Sequence, residues 1–157
     1  MKPTVTVLTV VLTIAVVAAA VVMIKKSDEK ESPYRLHPDD ASVVATGSKL
    51  YEMHCASCHG ANLQGQSEWR TRGPDDLLPA PPHDASGHTW HHDDKTLFQI
   101  TKLGVAKVIG DSTYKSAMPI YADTLSDQQI IAVLSWIKAQ WPPEVRKNND
   151  LVNTDQK

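Results

Sequence analysis

The chain has only two cysteines, Cys55 and Cys58, and a histidine, His59, directly follows the second. This Cys-x-x-Cys-His order is the attachment sequence of a c-type haem. Each thiol can form a thioether bond to one vinyl group of a porphyrin, and the His59 imidazole can then coordinate the iron. Because all three bonds come from a single turn of backbone, the pattern predicts one covalently bound haem held by these residues.

Three other interpretations of the cysteine pair are open from the sequence. A thioredoxin-like pair needs a strand before it and a helix after it, whereas the residues before Cys55 have a helical pattern and Gly60 follows the motif. A zinc site needs a second ligand pair at regular spacing, and the histidines from His83 to His92 lie in an irregular stretch. A structural disulfide is the third. We favour haem attachment.

An uncharged apolar run covers residues 4–24. A helix of that length would span about 31 Å, which is close to the hydrocarbon thickness of a bilayer. A cleaved signal peptide is the alternative, since Lys2 gives a charged start and small residues lie within the run. The run continues past these small residues and ends at the lysine pair 25–26. We therefore predict an uncleaved transmembrane anchor at residues 1–26.

We infer the orientation of this anchor from haem chemistry. It is the opposite of the orientation that the charge pattern favours. The lysine pair after the span would place that end in the cytoplasm by the positive-inside rule. Attachment of c-type haem takes place on the outer side of bacterial and organellar membranes. We therefore expect a single-pass protein of the cell inner membrane, with residues from 27 onward on the periplasmic side. That part has 13 basic and 18 acidic residues, hence a formal charge of −5, which does not match a basic nucleic-acid footprint.

Composition divides the rest of the chain into a linker, a domain and a tail. Residues 27–38 are charged, contain prolines and form the predicted linker. Residues 39–145 carry helical patterns and form the predicted all-α domain. Residues 146–157 are polar and are predicted to be a frayed tail. The chain has one phenylalanine, so a buried haem would supply apolar volume that the side chains lack.

Capping residues and apolar periodicity predict three helices in the domain. Residues 60–92 and 105–119 show no sustained periodicity and are predicted to be irregular. Gly47 shares one helix face with Tyr51 and Cys55, and we expect another helix to cross at this glycine. The first predicted helix runs from an N-cap at Asp39 or Asp40 into the cysteine motif. The second runs from about Asp94 to Leu103, with Asp93 or Asp94 as its cap and Gly104 closing it. The third runs from Ser126, with Gln129 completing a capping box, to Trp141.

A haem that transfers electrons needs a second iron ligand opposite His59. Of the four methionines, Met1 and Met23 fall in the anchor, and Met53 precedes the cysteines in the same helix. Met118 is left as the predicted ligand. Two alternatives are open: Met118 fills a gap in the core, or a histidine takes its place. The histidines concerned are His83, His88, His91 and His92.

Three motifs occur in order along the chain: Gly47-x3-Tyr51-x3-Cys55-x2-Cys58-His59-Gly60, then Ala117-Met118-Pro119, then Leu125-Ser126-Asp127 at the start of a helix containing Trp136. Together they resemble a class I c-type cytochrome, most closely the small monohaem cytochromes of proteobacteria. The likeness covers about residues 40 to 142. It implies a class I cytochrome c fold whose first and last helices cross near Gly47. It also implies His59 and Met118 as iron ligands and Trp90 as a hydrogen-bond donor to a haem propionate.

The resemblance and the anchor imply a membrane-anchored one-electron carrier of a respiratory or photosynthetic chain, whose iron cycles between Fe(II) and Fe(III). We expect membrane redox complexes as electron donor and acceptor, contact with the lipid bilayer, and neither a small-molecule substrate nor nucleic acid. The chain would then not be an enzyme. One alternative is a fixed haem c subunit of a membrane oxidoreductase such as a terminal oxidase. The other is an enzyme or gas sensor with an open iron position.

Overall fold

The computed structural model describes residues 32–154. The anchor predicted at residues 1–26 and most of the linker lie outside the described residues. Within residues 32–154 no helix has the length and apolar character needed to cross a membrane. From Tyr34 onward the chain forms one compact unit.

The described residues form helices joined by turns and contain no strand, which is consistent with the all-α fold expected from the sequence. Short helical elements lie next to the candidate site, and the longer helices build the core. The elements in chain order are α1 (Ala41–His54), α2 (Ala56–His59), a 3-10 turn (Thr89–His91), α3 (Asp94–Leu103), α4 (Val105–Ile109), α5 (Asp127–Ala139) and α6 (Pro143–Thr154).

The predicted starts of the three long helices are confirmed, because each rests on a local capping signal. The Asp40 carboxylate accepts hydrogen bonds from two backbone N–H groups in the first turn of α1. Asp93 accepts one from the backbone N–H of Thr96 at the start of α3. Ser126 and Gln129 form the expected capping box at α5. Each cap satisfies N–H groups that have no partner within the helix.

The prediction that residues 105–119 are irregular throughout is wrong at its beginning. Gly104 ends α3 with a φ of 83°, and the chain turns directly into α4, Val105–Ile109. A helix of five residues is too short for apolar periodicity to reveal it. The rest of that segment consists of turns and bends, as expected.

The prediction of a frayed polar tail from Arg146 is also wrong. Residues 146–154 lie in α6, which begins at Pro143, a residue whose fixed φ suits the first turn of a helix. The Arg146 guanidinium pairs with the Asp39 carboxylate at 2.8 Å, and the side chain of Asn149 has no exposed surface. Polar contacts are prominent in this helix, alongside Val145, which packs against the hydrophobic core. The low hydrophobicity of the segment therefore misled the prediction.

The crossing of α1 and α5 at Gly47, expected from the sequence, is confirmed. A methyl group at position 47 would overlap the backbone carbonyl of Ala132 and lie 2.8 Å from Trp136 Cβ. One turn later, Tyr51 is 1 % exposed, and its ring centroid lies 4.5 Å from a ring centroid of Trp136. The missing side chain of Gly47 therefore lets the two helices approach closely.

We expect Gly47→Leu to lower the free energy of unfolding by about 3 kcal/mol, because the side chain would force the helices apart. Ala45→Leu is the matched control, since Ala45 lies on the same helix and is exposed. It should change stability by no more than about 0.5 kcal/mol. Chemical denaturation of the two variants measures the difference, and equal stabilities would contradict the close crossing.

Candidate haem site

The three predicted attachment residues lie on one turn of backbone at the end of α1. Cys55 ends α1 and caps α2, which carries Cys58 and His59. The backbone N–H of His59 donates to the Cys55 carbonyl at 2.9 Å. Gly60 ends α2 with a φ of 81°, a conformation that glycine adopts without steric cost. This turn can therefore present two thiols and one imidazole to the same group.

Two buried tyrosine hydroxyls hold the two ends of the motif. Tyr51 Oη donates to the carbonyl of Gly60 at 2.9 Å, directly after the motif. Tyr121 Oη donates to the carbonyl of His54 at 2.7 Å, directly before it. Burial raises the pKa of both phenols, so both remain protonated donors at neutral pH. The motif is fixed from α1 and from the segment before α5.

His59 has one ring nitrogen hydrogen-bonded and the other free. Its side chain is 7 % exposed, and its Nδ1 lies 2.8 Å from the backbone carbonyl oxygen of Pro81. Because a carbonyl can only accept, Nδ1 carries the hydrogen and Nε2 is left with a free lone pair. Burial lowers the pKa of His59, which keeps the imidazole in the neutral form that coordinates metals. Nε2 is therefore the atom available to iron.

The cysteines do not fit the three alternative interpretations. Burial raises the pKa of the Cys55 thiol to about 11, whereas a thioredoxin-like nucleophile needs a lowered pKa. A helix precedes Cys55 instead of a strand. Both thiols are free, so no disulfide joins them. In the part of the chain that the structure describes, no group of three or more His, Cys, Asp or Glu side chains could hold a metal ion.

Met118 is half-buried and packs against the hydrophobic core, whereas the residues on either side of it are exposed. Its backbone N–H donates to Ser116 Oγ at 3.1 Å. Three residues later, Tyr121 connects this segment to the end of α1. Met53, eliminated as a ligand in the sequence, is 66 % exposed on α1. The role of Met118 as an iron ligand stays a prediction.

The four histidines considered as alternative ligands lie in two places. His83 lies beside His59, whereas His88, His91 and His92 lie at the 3-10 turn, where the rings of His88 and His92 have centroids 5.4 Å apart. The ring of His83 stacks on that of His59, with centroids 4.0 Å apart, so it lies beside the predicted ligand and not opposite it. His88 and His91 are exposed, and each stacks on a tryptophan ring. A ring stacked beside His59 could not bind an iron from the side opposite His59. The position of His83 therefore argues against it as the second iron ligand.

Trp90 supplies the test of whether a haem fits these residues. In residues 32–154, its Nε1 is the one buried side-chain nitrogen or oxygen without a hydrogen-bond partner. An indole N–H only donates, and leaving such a donor unpaired costs about 1–3 kcal/mol. By contrast, Trp141 Nε1 donates to the His83 carbonyl at 2.7 Å. The missing acceptor at Trp90 matches a carboxylate of a bound haem.

Several residues that position the site were missed in the sequence. Pro81 acts through its backbone carbonyl, which no side-chain pattern reveals. Tyr121 and Trp141 act through polar atoms whose partners are far away in the chain. Tyr51 had a usable signal, since it shares a helix face with Cys55. The missed contacts are therefore those made over long sequence separations.

Comparison with known proteins identifies the family. The model of the cytochrome c family matches residues 44–141, so the chain belongs to the cytochrome c family. Membership implies haem c as the cofactor, and the Cys55, Cys58 and His59 motif is the expected attachment sequence.

Two curated relatives are named as subunits, one of a cytochrome bc1 complex and one of a cbb3-type cytochrome c oxidase. The cytochrome bc1 complex cytochrome c subunit of Corynebacterium diphtheriae is 28% identical over 113 residues, which cover 71% of this chain and 34% of that protein. The Cbb3-type cytochrome c oxidase subunit FixP of Sinorhizobium medicae is 23% identical over 94 residues, or 60% of this chain and 29% of that protein. The chain thus spans about a third of the length of these relatives. No solved structure gives a significant match. The family and these names support electron transfer.

The Tyr121→Phe variant tests whether the Tyr121 hydroxyl stabilises the Cys-x-x-Cys-His motif. We expect it to lower the free energy of unfolding by about 1 kcal/mol, because the His54 carbonyl loses its side-chain donor. Tyr114→Phe is the control: the Tyr114 ring lies under Arg72, and the substitution keeps that ring. Thermal melts of both variants measure the effect. Equal losses would show that the hydroxyl of Tyr121 does not stabilise the motif.

Proposed function

We propose that this chain is a class I, monohaem c-type cytochrome of the proteobacterial type. We propose further that it acts as a membrane-anchored one-electron carrier, with its haem domain on the periplasmic side of the inner membrane. The observation that carries the proposal is His59: it shares one turn with both cysteines, and the Pro81 carbonyl leaves its Nε2 free. The haem, when bound, supplies an iron that exchanges one electron between Fe(II) and Fe(III).

The residues have distinct roles in this proposal. Cys55 and Cys58 attach the porphyrin covalently, so the haem is retained whichever groups bind the iron. His59 coordinates the iron, and its Nδ1–H bond to Pro81 orients the ring and increases its basicity. Met118 is the proposed second ligand, because a thioether favours Fe(II) and raises the potential relative to two histidines. The sequence holds a single attachment motif, which supports one haem.

The apolar run at residues 4–24 supports the anchor, and the 27–38 segment supports a short tether. Tethering replaces the bulk concentration of the haem domain by an effective local one, which reaches the mM range for short flexible linkers. Affinity for the electron donor and acceptor can then be weak, which suits rapid binding and release. The proposed partners are membrane redox complexes, and the proposed protein is an electron-transfer protein rather than an enzyme.

A second candidate function is a fixed haem c subunit of a membrane oxidoreductase. The names of both relatives favour it, since each is a subunit of a complex. In this case the anchor would pack against helices of other subunits instead of serving only as a tether. Co-purification in mild detergent distinguishes the two, because a stable complex persists and a free carrier separates.

Met118→Ala tests the iron ligands. We expect the covalent haem to be retained, the midpoint potential to fall and the ferrous iron to bind carbon monoxide, because the sixth position opens. Met53→Ala is the matched control, since that methionine is 66 % exposed. Redox titration and ferrous spectra with and without carbon monoxide provide the readouts. An unchanged potential without carbon monoxide binding would point to a histidine. Replacement of His59 should abolish stable holoprotein.

A truncated chain that begins at Ser27 tests the anchor. It should fold and take up haem, yet support little electron flow at native abundance, and recover as its concentration is raised. Fusing the same domain to an unrelated transmembrane helix is the control, and it should restore flow at native abundance. Full activity of the free domain would show that the anchor only directs targeting. Failure of both the fusion and the concentrated domain would favour the fixed subunit.

A further inference from the structure

The C-terminal helix α6 lies beyond the matched residues 44–141 and contacts the 3-10 turn that carries Trp90. The helix is polar, yet the side chain of Asn149 at its centre has no exposed surface. A wholly buried polar side chain must be hydrogen-bonded or its burial is costly. The partners of Asn149 therefore show what α6 is built to hold.

Asn149 joins α6 to the Trp90 turn through both hydrogens of one amide. Its Nδ2 donates to the carbonyl of Trp90 at 3.0 Å and to the carbonyl of His92 at 2.8 Å. These two carbonyls flank the end of the 3-10 turn Thr89–His91. One side chain thus fixes the backbone on both sides of His91, whose ring stacks on Trp90 at a centroid distance of 3.6 Å.

A second set of polar contacts, partly buried, holds α6 in place. Asn153, one helical turn after Asn149, donates to Asp94 Oδ1 at 3.0 Å and accepts from the Asp94 backbone N–H at 2.8 Å. Lys138 of α5 is 4 % exposed, and its Nζ lies 2.7 Å from Asp150 and 3.6 Å from Asp94. The position of Asn149 is therefore fixed from α3 and α5, independently of the Trp90 turn.

The backbone carbonyl of Trp90 therefore has a hydrogen-bond partner in Asn149, whereas its buried indole N–H has none in the described residues. Because the backbone of the turn is held by Asn149 and the ring stacks on His91, an indole N–H without a protein acceptor suits an anionic group that comes from outside the chain. A haem carboxylate is such a group, and family membership supplies the haem.

We propose that Asn149 is a positioning residue for the haem: through the Trp90 turn it directs the Trp90 indole N–H to a haem carboxylate, and so raises the reduction potential of the iron. This inference rests on the proposed function. The N–H dipole offsets part of the carboxylate's negative charge, which otherwise favours the more positive ferric iron. Losing the alignment restores that charge and lowers the potential.

The experiment uses the full-length holoprotein in detergent and four variants: Asn149→Ala, Trp90→Phe, the double variant and Asn148→Ala. Asn148 is the matched control, an exposed asparagine one position earlier on α6. Covalent haem content is measured first, and redox titration then gives the midpoint potential. We expect Asn149→Ala and Trp90→Phe each to reduce the Fe(II)/Fe(III) ratio at a fixed applied potential severalfold. Asn148→Ala should behave as wild type.

The double variant separates positioning from general stabilisation. If Asn149 acts through Trp90, Asn149→Ala adds no shift in the Trp90→Phe background. An equal shift in both backgrounds overturns the inference. So does an unchanged potential in Asn149→Ala alongside a lower melting temperature, because Asn149 would then only stabilise the fold.

A measurement on the wild-type holoprotein covers the case in which Asn149→Ala does not fold. Hydrogen exchange of the Trp90 indole N–H, followed by NMR, should be as slow as that of Trp141, whose N–H is bonded to the His83 carbonyl. Rapid exchange at Trp90 alone overturns the inference. Absence of covalent haem in the wild type contradicts the proposed function itself. Attached haem with insensitive potentials contradicts only the role of Asn149.

Discussion

The hydrogen bond between His59 Nδ1 and the Pro81 carbonyl is the contact on which the site depends. It fixes which ring nitrogen is free, and it connects the cysteine turn to a loop that has no regular secondary structure. The same loop carries His83, whose ring packs on His59. A long irregular segment is unusual in a compact domain, and here it is hydrogen-bonded to His59, the proposed iron ligand.

Much of the fold and the core of the site could be predicted because their signals are local. Asp40, Asp93 and Ser126 each satisfy backbone N–H groups within their own first turn, so their effect is readable in a short window. The attachment motif is likewise contained in five consecutive residues. Gly47 was recognisable because a small residue shared one helix face with Tyr51 and Cys55.

The rest depends on partners distant in sequence. The buried side chain of Asn149 binds the carbonyls of Trp90 and His92. A helix held by such polar contacts cannot be recognised from hydrophobic periodicity. Pro81 contributes only a carbonyl, which every residue possesses. Such contacts orient the side chains of the site once the helices are in place. They produce no recognisable sequence pattern in the segments that make them.

The crossing of α1 and α5 also has a consequence for the order of assembly. Gly47 and Ala132 come into contact only after the whole intervening chain has been made, and closing so long a loop carries an entropic cost before any contact repays it. Until then the face of α1 that packs on α5 is uncovered, and Cys55, which is half-buried in the folded domain, is accessible. A porphyrin could reach both cysteines in this interval, before the folded domain partly covers Cys55.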